Sequence, residues 1–388
     1  MATGLSLILF IFLLILLSLG IWVAPALITL GYILLEFFTP APVGSLLAST
    51  LWDASWNWAL TALPLFIWMG EILFRTRLSS EMFKGLAPML SNLPGGLLHV
   101  NVVGCGIMAA VAGSSAVTCA TIGRMSIPEL KKRNYDETLS IGSLAGSGTL
   151  GLLIPPSIML IVYGVLAQVS ISRLFIAGVL PGIMIIIIFM TYIIIRSKLN
   201  PALAPKQEVR YTLWEKIKAA RNLLPVLALI FFVLGSIYGG YATPTEAATI
   251  GVIGALLLAW SSKTLNKKSF IDSLMGAVKT SCMINFIIVG AAFLSVAMGY
   301  TGIPKQLGQF VSDFELSRLS LLAILTLLYI FLGCFLEGTS MMVLTASVVL
   351  PMVQIAGIDL IWFGIFTVVV VEMAQITPPV LSLIHISE

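Results

Sequence analysis

The chain has 388 residues, 59% of them hydrophobic and 10% charged, with a net charge of +4 and a mean hydropathy of +1.07. Such a composition excludes a soluble globular domain, and its long, uniformly apolar runs exclude the short alternating segments of a β-barrel; an all-α polytopic membrane protein remains. The few charges lie between the apolar runs, which suits the positive-inside bias of a chain embedded in a lipid bilayer and not nucleic-acid binding.

A span takes about 20 residues, so roughly ten spans with their connections fit the length. Apolar runs lie near 5–23, 26–38 and 59–74. No basic residue precedes Arg75, so the first run lacks the charged start of a signal peptide and reads as a retained span. Asp53 with Trp52, Trp56 and Trp58 reads as an interface belt. An amphipathic stretch, 79–90, follows Arg75 and Arg77. Next, 97–112 leads to a small-residue break at Gly113-Ser114-Ser115, and 117–127 continues beyond it. That arm is about 16 Å long, too short to cross a bilayer. Lys131, Lys132 and Arg133 close it. The run 139–154 approaches Pro155-Pro156-Ser157, 158–168 follows, and 174–195 is a full span. The loop 196–221 holds seven Lys or Arg against two acids and divides the halves. Beyond it lie 223–238, a helix opening at Thr243-Pro244-Thr245-Glu246 that runs to Trp260, a basic loop with Lys263, Lys267 and Lys268, and a span at 282–298. After a polar-striped connection at 303–314, the run 319–336 leads to Glu337-Gly338-Thr339-Ser340. A short arm ends near Pro351, and 362–374 runs to Thr377-Pro378-Pro379. The cysteines Cys105, Cys119, Cys282 and Cys334 lie in apolar segments without metal-ligand spacing.

Two of these stretches copy each other. Pro128 to Pro155 and Pro351 to Pro378 are both 27 positions apart, and the copies are offset by 223 residues at the prolines and 225 at the glycine tips. Paired interruptions at matched positions of two halves mark a transporter's binding site. Charge sets the sidedness. The basic loops 196–221 and 261–268 flank one helical hairpin and belong in the cytoplasm. Counting back, 97–127 begins and ends on the cytoplasmic side; counting forward, the second copy enters from outside. The expected organisation is an inverted repeat. Residues 1–195 form the first copy, with a re-entrant hairpin at 93–131 and a broken helix at 136–168. Residues 196–222 are a basic linker, and 223–380 form the second copy, with a hairpin at 318–355 and a broken helix from 359.

The combination of Leu93-Pro94-Gly95-Gly96, Gly113-Ser114-Ser115-Ala116, Ile127-Pro128 with Lys131-Lys132-Arg133-Asn134-Tyr135, Ile154-Pro155-Pro156-Ser157, 243–248, and Glu372 with Ile376-Thr377-Pro378-Pro379 resembles the large membrane subunit of a TRAP (tripartite ATP-independent periplasmic) transporter, over residues 1 to 380. The resemblance implies an elevator-type fold, a scaffold with a mobile domain of two hairpins and two broken helices. It implies Na⁺-driven import of an acidic solute such as a C4-dicarboxylate, sugar acid or sialic acid. It also implies a bacterial inner-membrane location and two partners, a small four-helix membrane subunit and a periplasmic solute-binding protein. Residues 381–388 depart from the family pattern and read as foreign sequence joined to a truncated gene, so the last arm and span are expected to be missing.

Na⁺ needs several hard oxygen ligands, which an apolar slab supplies through unwound carbonyls and small hydroxyls. Gly113, Ser114, Ser115, Ser147, Thr149, Gly151 and the carbonyl before Pro155 are candidates in the first half. Gly338, Thr339, Ser340, Gln375 and Thr377 are candidates in the second. The same small residues also serve close helix packing. Ser115, Ser157 and Ser340 are candidates for the anionic solute, met by the N-termini of hairpin helices. Glu372 is an intramembrane acid whose role is open among ion ligand, proton site and hydrogen-bond acceptor. Glu337 caps the second tip or lies near an outer ion site. Arg124 lies nine residues past Ser115, about 13 Å down the arm, and is expected to snorkel at the cytoplasmic end. Glu246 is expected to cap a helix, and His99 to be a satisfied polar residue at the hairpin base. No cofactor beyond Na⁺ is expected, and no hydrolase or nucleotide-binding motif occurs. The alternatives are a stand-alone Na⁺-coupled anion symporter or exchanger of related fold, and a passive channel or scaffold.

Overall fold

Interruptions set the helix lengths in this chain. The computed structural model describes residues 2–76, 78–205, 211–303, 317–333 and 336–377, and these are helical with no strand among them. Helix α1 (Ala2–Ser18) ends where Gly20 takes a φ of +78°, and α2 (Val23–Phe38) follows. Helix α3 (Val43–Ser55) meets the segment that contains α4 (Ala62–Phe74) at a bend of 53°. The amphipathic α5 (Leu78–Leu90) precedes a helical hairpin of α6 (Leu98–Ala112) and α7 (Ser115–Lys132). The broken helix is α8 (Glu137–Gly148), α9 (Leu150–Leu153) and α10 (Ile158–Leu166), bent by 41° at its prolines. The long α11 (Ile171–Leu199) closes the first half. The second half holds α12 (Leu213–Ala220), α13 (Leu224–Tyr238), α14 (Pro244–Ser261) and α15 (Lys267–Thr301). It ends with α16 (Arg318–Gly333), α17 (Gly338–Ile355) and α18 (Leu360–Ile376). Pro378 and Pro379 lie outside the described residues, as do 381–388 and Cys334.

Two expectations about helix ends are corrected. Helix α7 runs through Pro128 to Lys132, and α17 runs through Pro351 to Ile355. One proline removes a single backbone bond, and packed apolar helices accommodate that loss. Two consecutive prolines remove two donors and push the preceding residue out of the helical region. Accordingly Ile154 is extended (φ −77°, ψ 124°) and the helix stops at Leu153. Among the described residues, five helices are long and apolar enough to cross a membrane, or up to seven if each bent pair is one span. That is fewer than ten because α2, α6, α16 and α18 are apolar but have 10–17 residues, shortened by their breaks.

Small residues set the helix contacts. A Cβ on Gly290 of α15 would lie 2.9 Å from the Ala24 carbonyl oxygen of α2, and Gly31 of α2 lies against the Phe293 ring. Gly251 of α14 seats against Met69 of α4. Helix α4 also meets α15 through polar groups: Trp68 Nε1 donates to Ser273 Oγ at 3.3 Å, and Gly276 makes room for the Glu71 carboxylate. A second group of contacts joins the two halves, since Tyr163 of α10 donates to the Leu360 carbonyl of α18 at 2.6 Å and its ring lies on Gly364. The amphipathic α5 and α12 pack together, with Gly85 against Leu223 and the Ala219 carbonyl. Replacing Gly290 with Val puts a branched side chain against a backbone oxygen that cannot yield. Overpacking of this kind costs about 1–3 kcal/mol. Detergent-solubilised Gly290→Val is expected to unfold several degrees below the parent, and Gly299→Val, at a site with nothing among the described residues within 4 Å, to unfold at the parent's temperature.

Candidate functional site

The tip of the first hairpin forms because Gly113 sits in the left-handed region (φ +60°) and Ser114 is extended, so α6 ends and α7 starts within three residues. The tip lies directly on the broken helix. The Gly113 carbonyl accepts from Ile158 N at 3.4 Å, and a Cβ on Gly113 would meet the Pro156 carbonyl oxygen at 2.8 Å. A Cβ on Gly151 would lie 2.6 Å from the Ser114 carbonyl and from Ser115 Cα. Glycine at 113 and 151 is therefore what lets two interrupted backbones touch.

The buried hydroxyls around this contact donate backward along their own helices. Ser147 Oγ donates to the Ser143 carbonyl at 2.5 Å, and Thr149 Oγ1 to the Gly146 carbonyl at 2.6 Å. Ser157 is fully buried; its hydroxyl donates to the Leu152 carbonyl and accepts from Leu160 N, closing one arm of the break and capping the next. Ser115 differs. Its hydroxyl donates across the molecule to Glu372 Oε1 of α18 at 2.6 Å. Glu372 is the one buried carboxylate among the described residues, and its Oε2 has no protein partner among them.

The second tip reaches the same turn of α18. Gly338 lies against the Gln375 side-chain amide and Val371, and Gly333 lies against Ala374. Glu337 is the N-cap of α17 and accepts from Ser340 N at 3.3 Å. Thr339, Ser340 and Gln375 are buried. Thr377 ends α18 in an extended conformation, its hydroxyl on the Ala374 carbonyl at 2.9 Å. One turn of α18, residues 371–375, thus touches both hairpin tips. The first tip touches Gly151 and Glu372, and the second touches Gln375.

Other expectations find their places. Arg124 stays away from the tips, its guanidinium 5.1 Å from the centroid of the Phe74 ring at the end of α4. Glu246 forms a capping box with Thr243. His99 Nε2 bonds the Pro94 carbonyl at 2.8 Å at the hairpin base, while its Nδ1 has no partner among the described residues. Trp52, Trp56 and Trp58 are exposed. The sequence reading missed the Ser115–Glu372 pair and the bond from Asn101 Nδ2 to Ser143 Oγ at 2.9 Å. It also passed over Lys279, a lone cation inside α15 that its isolation in the sequence could have flagged.

Comparison places this geometry among known proteins. A family model described as tripartite ATP-independent periplasmic transporter, DctM component, matches residues 10–387. The chain is 32% identical over 353 residues to the C4-dicarboxylate TRAP transporter large permease protein DctM of Pseudomonas aeruginosa, covering 90% of this chain and 81% of that one. It is 28% identical over 326 residues to the sialic acid TRAP transporter large permease protein SiaM of Vibrio cholerae, covering 83% and 75%. Its fold is similar to that of the Alcanivorax borkumensis YdaH transporter, with a TM-score of 0.61, 14% identity, and coverage of 91% of this chain and 81% of that one.

A double-mutant cycle checks the link between the first tip and α18. A hydrogen bond to a charged group contributes about 1.5–3 kcal/mol and a neutral one about 1 kcal/mol. Ser115→Ala and Glu372→Met, which removes the acceptor, are therefore expected to be non-additive in thermal stability by about 1 kcal/mol or more. Additive losses would mean that the two side chains are not coupled.

Proposed function

This chain belongs to the DctM-component family of tripartite ATP-independent periplasmic transporters, and on that premise we propose that it is the transporting subunit of a Na⁺-coupled importer of small acidic solutes. It is a multi-pass membrane transport component and not an enzyme. The observation that carries the proposal is the turn of α18 that both hairpin tips touch, which holds a carboxylate bonded to Ser115 of the first tip and having one oxygen without a partner among the described residues. An unpaired buried carboxylate oxygen is costly, and a cation beside it removes that cost.

In this reading Na⁺ is cargo that binds beside the breaks. A hydroxyl that donates its one proton keeps two lone pairs. Ser115, Ser147 and Thr149 all donate to protein acceptors, so their oxygens stay available to an ion together with carbonyls of Gly113, Ser114, Gly151 and the residue before Pro155. Gly338, Thr339, Ser340, Gln375 and Thr377 supply the second group. Ser115 and Ser340, at the starts of α7 and α17, are placed for a carboxylate, which the helix dipoles favour there. Ser157 contributes by holding the start of α10, because its hydroxyl is already engaged twice. The hairpins and broken helices form the mobile part of an elevator, moving against a scaffold of α2, α4, α13, α14 and α15. The two copies are inverted in the membrane, a bacterial inner membrane.

The relatives' solutes, a C4-dicarboxylate and sialic acid, support an acidic cargo. Two partners complete the system. The outer faces of α2, α13 and α14 expose Phe37, Phe38, Phe231, Phe232, Ile253 and Trp260, which suits a small membrane subunit as well as lipid. A periplasmic binding protein delivers the solute.

Uptake into proteoliposomes that hold all partners tests the ion reading. Loss of one ligand oxygen costs about 1.5–3 kcal/mol, or roughly 10- to 150-fold in affinity. Ser115→Ala and Thr339→Ala are expected to raise the half-saturating Na⁺ concentration at least about tenfold. Values unchanged in both variants at normal expression would refute ligation by these hydroxyls. Sidedness is a separate test. Single cysteines replacing Lys132 and Ser317 in a cysteine-free background are expected to label from the cytoplasm and the periplasm respectively, and labelling of both from one side would sink the inverted arrangement.

A further inference from the structure

Lys279 lies 12 residues beyond Lys267 at the start of α15, about 18 Å along the helix. Around it α15 is committed to helix contacts: Ser273 and Gly276 face α4, and Gly290 faces α2. The Lys279 side chain is exposed instead, into a cavity of about 800 Å³ bounded by α15, the first turn of α2 and the tip of the second hairpin. Phe286 and Val23 give this cavity apolar walls, and Ser340 is its contribution from the hairpin tip. Among the described residues no acidic side chain lines it, and no ion pair involves Lys279. Glu337, the nearest acid in sequence to Ser340, is turned to its own helix as the α17 cap.

A cation inside an apolar segment, here without a counter-charge among the described residues, defaults to a functional assignment. Snorkelling would account for a lysine that reaches for an aqueous interface. It does not account for one that shares a cavity with the hairpin tip that meets the cargo. We propose that Lys279 is the counter-charge for a carboxylate of the acidic solute, contributed from α15 across the cavity from Ser340. The solute is then held between a hydroxyl on the second hairpin and an ammonium on the neighbouring scaffold helix. This rests on the reading of acidic cargo given above.

Cys282 supplies the test, because it is exposed and lines the same cavity three residues beyond Lys279. The chain, with Cys105, Cys119 and Cys334 changed to alanine, is reconstituted with its partners. The rates at which Cys282 reacts with an anionic and a cationic methanethiosulfonate are then compared. Charge attraction within the cavity is expected to make the anionic-to-cationic rate ratio about tenfold higher with Lys279 than in Lys279→Gln, with Lys279→Arg close to the parent. Succinate or N-acetylneuraminate, whichever is taken up, is expected to slow the reaction in the parent and in Lys279→Arg but not in Lys279→Gln. A ratio indifferent to Lys279→Gln overturns the proposal, as does equal protection in parent and Lys279→Gln by an acid that is transported. If neither acid is taken up and neither protects, while the ratio still depends on Lys279, the acidic-cargo reading falls and the anion-attracting cavity stands.

Discussion

Backbone groups released by a break inside an apolar slab have no water to turn to, and every unpaired one costs several kcal/mol. The architecture follows from meeting that requirement twice. At the first break the Gly113 carbonyl takes Ile158 N, and Ser157 serves Leu152 and Leu160 at once. At the second tip Glu337 takes Ser340 N. Each interruption is answered by another interruption or by a side chain beside it. This is why the polar groups of a 59% hydrophobic chain gather where its helices stop.

Much of this was legible in the sequence. The glycine at 113 predicts a turn, and the paired prolines at 155 and 156 predict a stop, because both act locally through the backbone. The helix cap at Thr243 and Glu246 has a local signature too, and the structure contains it. Single prolines were misread. Pro128 and Pro351 look like ends, yet neighbouring contacts carry both helices four residues further. Such tolerance depends on packing, which spacing does not report.

The candidate site was legible by halves only. Ser115 and Glu372 each stood out, one as a small polar tip and the other as an acid in an apolar run. Nothing local could pair them, since the bond joins positions 257 residues apart. The glycines that shape the site had no individual signature either. What makes Gly151 necessary is the backbone of Ser114 and Ser115 on another helix, and what makes Gly338 necessary is a side chain on α18. Lys279 went unread for a related reason. A lone lysine gains meaning from the cavity it faces, and that cavity joins three segments from both halves of the chain.

The bond between Ser115 and Glu372 also has a consequence for how the protein is made. A bacterial ribosome adds about 5–20 residues per second, so the carboxylate is synthesised about 10–50 s after the hydroxyl that it holds, given their separation of 257 positions. Through that interval the first hairpin is inserted while its tip lacks α18. The nascent tip must stay in the wet insertion machinery, or shelter against α9 and α10, until α18 is made. Completion of α18 is then the event that locks the first hairpin in place, and the order of translation is built into the order of assembly.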